Sequence, residues 1–110
     1  MKKSKYGNKK CEYLGLKFDS IGERDRYIFL LDCQSRGKIG YLQLQVPFEL
    51  CVNETIICKY VADFVYCKDG REIVEDFKGI ETAVFKNKKK LMKAIHGIDV
   101  KVVKNPTEEL

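Results

Sequence analysis

The dipeptide Asp69-Gly70 lies between two runs, Ile56 to Tyr66 and Arg71 to Lys78, that are rich in Val, Ile, Phe and Tyr. Such residues favour strands, and Asp-Gly accommodates the two positive φ angles of a type I′ turn, so the segment reads as a tight antiparallel hairpin. A two-residue loop sets the register. Lys68 then faces Arg71, and Asp63 faces Asp76. Facing residues share one side of a sheet with β-carbons about 5 Å apart, so two like charges become neighbours, an arrangement that is ordinarily destabilising. Alternation puts Lys78 on the side of Asp76 and turns Glu75 and Phe77 the other way. The carboxylates thus sit among Val61, Val65, Val74 and one ammonium. Two compensations are open on these residues: a divalent cation, Mg²⁺ or Mn²⁺, held by both aspartates in an all-oxygen site, or a solvated face on which Lys78 neutralises the pair.

Helices flank this hairpin in the sequence. Ser20-Ile21-Gly22-Glu23 has the S-x-x-E spacing of a capping box, and the helix it opens runs to about Arg36 with Gly37 as its stop. On a 100° wheel Ile21, Tyr27, Leu30 and Leu31 form its inward sector, and Glu23 and Gln34 fall inside it, while Asp25, Asp32 and Arg36 lie elsewhere. An ionised carboxylate facing inward is costly unless it meets a cation, although Glu23 can also serve as the N3 member of the capping box. A second helix spans roughly Thr82 to His96 and ends at Gly97. Its apolar side is Val84, Phe85, Leu91, Met92 and Ile95, with Lys86, Lys89, Lys90 and Lys93 opposite. Lys88 projects from the apolar side, so it must snorkel to the edge or reach a buried anion. Cys11 to Phe18 reads as a strand or a hairpin around Gly15. Lys38 to Cys51 reads as one or two strands interrupted by Pro47, and Ile98 to Val103 as a last strand. This order predicts an α/β domain with helices packed on one sheet.

A chain of 110 residues forms one domain. Its net charge of +5 is unevenly spread: residues 1–10 and 86–93 hold ten lysines and no acid, leaving 11 basic and 16 acidic side chains on the other 92 residues, a balance of −5. Lysine clusters on an acidic body suit a polyanion, nucleic acid before a membrane surface, or else a flexible tail and a solvated helix face. Apolar runs of four or five residues are far short of the roughly 18 that a membrane span needs. The basic N-terminus has no apolar stretch behind it, so no secretory signal is expected. Five cysteines without a C-x-x-C pair suit free, mostly core thiols in a reducing cytoplasm and signal zinc, with His96, only weakly.

The set Glu23 in Ser20-Ile-Gly-Glu23, Asp63 in Tyr60-Val-Ala-Asp63-Phe64 and Asp76-Phe77-Lys78 resembles the PD-(D/E)xK nuclease superfamily. From Lys5-Tyr6-Gly7-Asn8-Lys9 to Val103 the chain is similar to a small phage or prophage endonuclease-like family related to Holliday-junction resolvases and transposon-end-cleaving nucleases. Two features depart from the pattern: Ala62 stands where the motif has proline, and Asp76 where Glu is commoner. The resemblance implies a single restriction-endonuclease-like domain, with a central mixed sheet and core order α-β-β-β-α-β over residues 11–104, between a flexible basic arm (1–10) and a frayed tail (105–110). It implies a Mg²⁺-dependent DNA endonuclease, with Mn²⁺ as a substitute, acting in the bacterial cytoplasm on branched or non-standard DNA in phage replication, recombination or packaging. Asp63, Asp76 and the carbonyl of Phe77 would hold the metal, Glu23 would act directly or through water, and Lys78 would complete the catalytic set. Lys86, Lys88, Lys89, Lys90 and Lys93, with Lys9 and Lys10 of the arm, would bind DNA, and paired cuts in a junction would require a homodimer. A DNA-binding module that has lost catalysis and a small phage interaction protein are the alternative readings.

Overall fold

The computed structural model describes residues 9–110, so most of the expected basic arm, including Lys2, Lys3 and Lys5, lies outside the described residues. A short hairpin, β1 (Cys11–Tyr13) and β2 (Leu16–Phe18), precedes helix α1 (Ile21–Ser35). Strands β3 (Gly40–Val52), β4 (Thr55–Lys68) and β5 (Arg71–Phe77) follow, then helix α2 (Ala83–Leu91), which runs into a π-helical turn (Met92–His96), and strand β6 (Lys101–Val103). The main sheet has the order β3-β4-β5-β6, antiparallel except for the parallel β5–β6 pair. It is a mixed four-stranded sheet with two helices. Among the described residues no helix is long and apolar enough to cross a membrane.

The β4–β5 register follows the Asp-Gly turn as expected, with Lys68 opposite Arg71 and Phe64 opposite Glu75. Asp69 and Gly70 have φ of 51° and 75°, the positive pair of a type I′ turn. Asn53 and Glu54, at 48° and 66°, form an equivalent turn between β3 and β4 that composition does not advertise. Pro47 does not interrupt β3. It pairs with Val61 in an edge strand, where a missing N–H costs no ladder bond if it faces outward.

Two apolar clusters flank the sheet. One gathers Leu50, Tyr60, Ala62, Val65 and Val74 under Phe85 and Met92; the other gathers Phe64 and Tyr66 under Leu30 and Cys33 of α1. Simple alternation would put Ala62 with Phe64, and Val46 with Leu44, yet in both strands these neighbours join different clusters. The faces exchange at Gln45 and Asp63, which sit between the pairs Leu44–Phe64 and Val46–Ala62. Gln45 has φ of 52°, a left-handed conformation in the middle of a strand.

The inward stripe of α1 is Glu23, Arg26, Leu30 and Cys33, not a sector centred on the aliphatic residues; Ile21 is 41% exposed. Arg26 is fully buried because it meets Glu75 through two bonds, Nε to Oε1 at 2.6 Å and Nη2 to Oε2 at 2.9 Å. Its Nη1 also donates to the carbonyls of Pro106 (3.1 Å) and Glu108 (2.5 Å), and Leu110 packs beside the α1 cluster. The C-terminal tail expected to fray is thereby tied to the underside of the sheet. The last strand starts at Lys101, three residues later than expected.

Candidate active site

The N-terminus of α1 and the end of β5 meet over a cleft of about 390 Å³. Ser20 caps the helix by accepting from the Glu23 N–H at 3.1 Å, but no reciprocal bond returns from the Glu23 carboxylate. That carboxylate instead accepts from Gln45 Nε2 at 3.3 Å, and Glu23 is only 7% exposed. The capping box is half used, which leaves the acid for the cleft.

Asp63 ends the ladder in place of a backbone pair. Its Oδ2 accepts from the Phe77 N–H at 3.0 Å and its Oδ1 from Gln45 Nε2 at 3.3 Å. Asp76 is 1% exposed; the Tyr60 hydroxyl donates to its Oδ2, while its Oδ1 is buried with no hydrogen-bond partner among the described residues. Lys78 Nζ stands 3.3 Å from that oxygen, close enough for charge attraction, and lies 4.8 Å above the Phe85 ring. That oxygen accepts no hydrogen bond of good geometry and has the Lys78 ammonium as its charged partner, and Asp76 itself lies beneath the cleft rather than lining it.

The electrostatics agree with crowded acids. Burial, reinforced by the charges of Asp19 and Asp76 against the opposing Lys78, raises Glu23 from 4.5 to about 7. Burial and the neighbouring Asp76 and Glu23 hold Asp63 well above the ordinary carboxylate range, although the Phe77 N–H pulls it down. Burial and the adjacent Asp76 also push the Tyr60 hydroxyl up, so it remains a donor.

Glu23, Asp63, Phe77, Lys78 and Lys9 all line the cleft. Lys10 is exposed and does not line it. Glu75 faces the opposite side, bound to Arg26 and to the Tyr66 hydroxyl at 2.7 Å, so strand alternation separates it correctly from Asp76. Lys86, Lys89, Lys90 and Lys93 line a second depression beside Glu81 and Asp99, where Lys93 is already paired with Asp99 at 2.9 Å. Lys88 is half-buried, lines neither cleft and has no ion pair among the described residues. Val84 is 65% exposed, which narrows the apolar side of α2 to Phe85, Leu91, Met92 and Ile95.

Glu23, Asp63 and Asp76 do not close into a complete cage. Among the described residues no three His, Cys, Asp or Glu side chains form a metal-holding group, and the Gln45 amide bridges Glu23 and Asp63. The five cysteines are free, and His96 Nε2 lies 2.8 Å from the Glu49 carbonyl.

Sequence reasoning missed Gln45, Tyr60, Asp19 and Gly22. A β-carbon on Gly22 would lie 2.4 Å from two ring atoms of Phe77, so only glycine permits this approach of α1 to β5. Tyr60 was within reach, three residues before Asp63. Gln45 was not: a bulge between Leu50 and Cys51 shifts the β3–β4 register by one, and extrapolation from the Asn53-Glu54 turn would set Gln45 opposite Ala62.

Residues 3–105 match the family described as Protein of unknown function (DUF1064). The chain belongs to this family. No curated protein and no solved structure matches it.

Proposed function

We propose that this DUF1064 family member is a Mg²⁺-dependent DNA endonuclease with a restriction-endonuclease-like core, acting on branched or otherwise non-standard DNA. The carrying observation is the crowding of Asp63, Glu23 and the buried Asp76, whose Oδ1 has only the Lys78 ammonium at 3.3 Å, at and just beneath an open cleft. The oxygens a hard cation would take are Asp63 Oδ1, now 3.3 Å from the Gln45 amide, and Asp76 Oδ1, now 3.3 Å from the Lys78 ammonium.

In this reading Asp63 and Asp76 would hold Mg²⁺, with the Phe77 carbonyl as a further ligand and Glu23 acting directly or through water. Once bound, the ion would polarise a phosphate oxygen and lower the pKa of an attacking water. The protein supplies the rest. Tyr60 and the Phe77 N–H each occupy one oxygen of their aspartate and so fix which oxygen is left for a cation. Lys78 stabilises negative charge that develops on the phosphate. Gln45 donates to both Glu23 and Asp63 and so bridges the two acids, the position in which a bound cation would compete with its amide. The lysines of α2 extend the contact along the phosphate backbone, so DNA binding weakens with added salt.

The Gln45 bridge also favours a second reading, a DNA-binding module of the same fold in which an amide has taken the cation's place. A cleavage assay separates the two. Wild-type protein, with Mg²⁺ or Mn²⁺, is presented with four-way junction, flap, nicked duplex and single-stranded DNA, alongside Asp76→Asn. Cleavage of at least one substrate that disappears in Asp76→Asn, with DNA binding retained, is the expected result. Full activity of Asp76→Asn, purified free of host nucleases, overturns the assignment. Salt-sensitive DNA binding without cleavage by wild type leaves the binding module.

A further inference from the structure

The cleft is lined by unlike groups: the charged Asp19, Glu23, Asp63, Lys78 and Lys9, and the apolar Ile21, Ile80 and Phe77. Ile21 is 41% and Ile80 54% exposed, and both line the same cleft as Phe77. The apolar lining is stiff. Ile21 is the first residue of α1, and the Phe77 ring is seated against the bare α-carbon of Gly22. Gly79, between Lys78 and Ile80, has no atom within 4 Å of where a β-carbon would stand. Lys9 supplies a second positive charge at the rim.

We propose that Ile21, Phe77 and Ile80 form a subsite for one unpaired nucleobase of the DNA strand whose phosphate sits at Lys78. The inference rests on the nuclease reading of the same cleft and names its substrate class: DNA with an unstacked nucleotide beside the scissile phosphate. The two lysines of the lining, Lys78 and Lys9, set the orientation, with the phosphate toward them, away from Asp19, Glu23 and Asp63, and the apolar face of the base toward the isoleucines. A cleft of about 390 Å³ is at the small end for ligand sites and has room for a nucleotide, not for a duplex. A paired base has its faces covered by its neighbours and its edge by its partner. Only a base that has left the stack can offer a face to this lining. Aliphatic side chains are used in the same way by proteins that wedge between base steps.

The test measures binding in EDTA, which removes any cleavage from the readout. Two labelled DNAs are compared, a fully paired duplex and the same duplex carrying a single-stranded flap with 2-aminopurine at its first unpaired position. Wild-type protein should bind the flap DNA at least tenfold more tightly than the duplex and change the 2-aminopurine fluorescence on binding. Ile21→Ser with Ile80→Ser should remove most of that preference and the fluorescence change, while duplex affinity stays within twofold of wild type. Both positions are at the surface, and a thermal melt checks that the variant is folded. Equal weakening on both DNAs, or an unchanged preference, overturns the subsite. The nuclease reading is judged separately: wild type that shows the isoleucine-dependent preference but cleaves nothing with Mg²⁺ retains the subsite and loses the nuclease. Cleavage by a wild type whose isoleucines make no difference retains the nuclease and loses the subsite.

Discussion

Gly22→Ala sets two effects of opposite sign against each other. The helix-forming tendency of alanine would favour the variant by at most about 1 kcal/mol, and by less in the first turn, where Gly22 is the second helical residue. Against this, the new β-carbon falls 2.4 Å from Cε2 and Cζ of Phe77, while carbon atoms pack at about 3.5–4.0 Å. The ring or the helix end must therefore move by about 1 Å or more, and overpacking of this kind costs about 1–3 kcal/mol. Packing wins, with a net loss of about 1 kcal/mol, or roughly 4–8 °C in Tm for a domain of this size. The displacement also reaches the site, because the Phe77 N–H holds Asp63 Oδ2 at 3.0 Å. Loss of such a supporting contact lowers metal affinity by about tenfold or more. Thermal unfolding by circular dichroism and Mg²⁺ titration by calorimetry measure the two consequences. A variant that melts at or above the wild-type temperature with unchanged Mg²⁺ affinity would refute the claimed approach of α1 to β5.

Two other outcomes follow from buried charge. Arg26→Met leaves Glu75 buried with only the Tyr66 hydroxyl as partner and frees the tail carbonyls, so urea denaturation should show a loss of about 3–5 kcal/mol; a loss under about 1 kcal/mol contradicts the pairing. Glu23 and Asp63 both have folded-state pKa values above their unfolded ones, so the native state binds more protons than the unfolded state once pH exceeds about 4.5. Without divalent ions, the contribution of these two groups to stability therefore falls as pH rises, Glu23's share being lost between about 4.5 and 7. Mg²⁺ favours the ionised carboxylates and should stabilise more at pH 8 than at pH 5. Melting curves across this range, for wild type and Glu23→Gln, check both signs; a Mg²⁺ effect that shrinks as pH rises contradicts them.

Local rules carried much of the fold. The Asp69-Gly70 turn specified the β4–β5 register because a two-residue loop leaves one way to pair, and that register set Glu75 apart from Asp76; the paired residues end at Phe64 and Glu75, and Asp63 reaches β5 through the Phe77 N–H. Ser20, Gly37, Thr82 and Gly97 bounded the helical segments, since caps and stops act within a turn of the chain. The remainder depends on contacts between residues far apart in sequence. Arg26 has no marked place in the helical pattern, and it is Glu75, 49 positions away, that neutralises it in the core. The frayed look of residues 105–110 ends when Arg26 finds their carbonyls. Gln45 enters the site through a bulge, and the exchange of faces at Gln45 and Asp63 breaks the two-residue period on which any strand argument relies. Periodicity and turn chemistry are properties of neighbours along the chain and so are legible in the sequence. The partner of a buried charge, and the face a bulged strand presents, are set by what packs across from them.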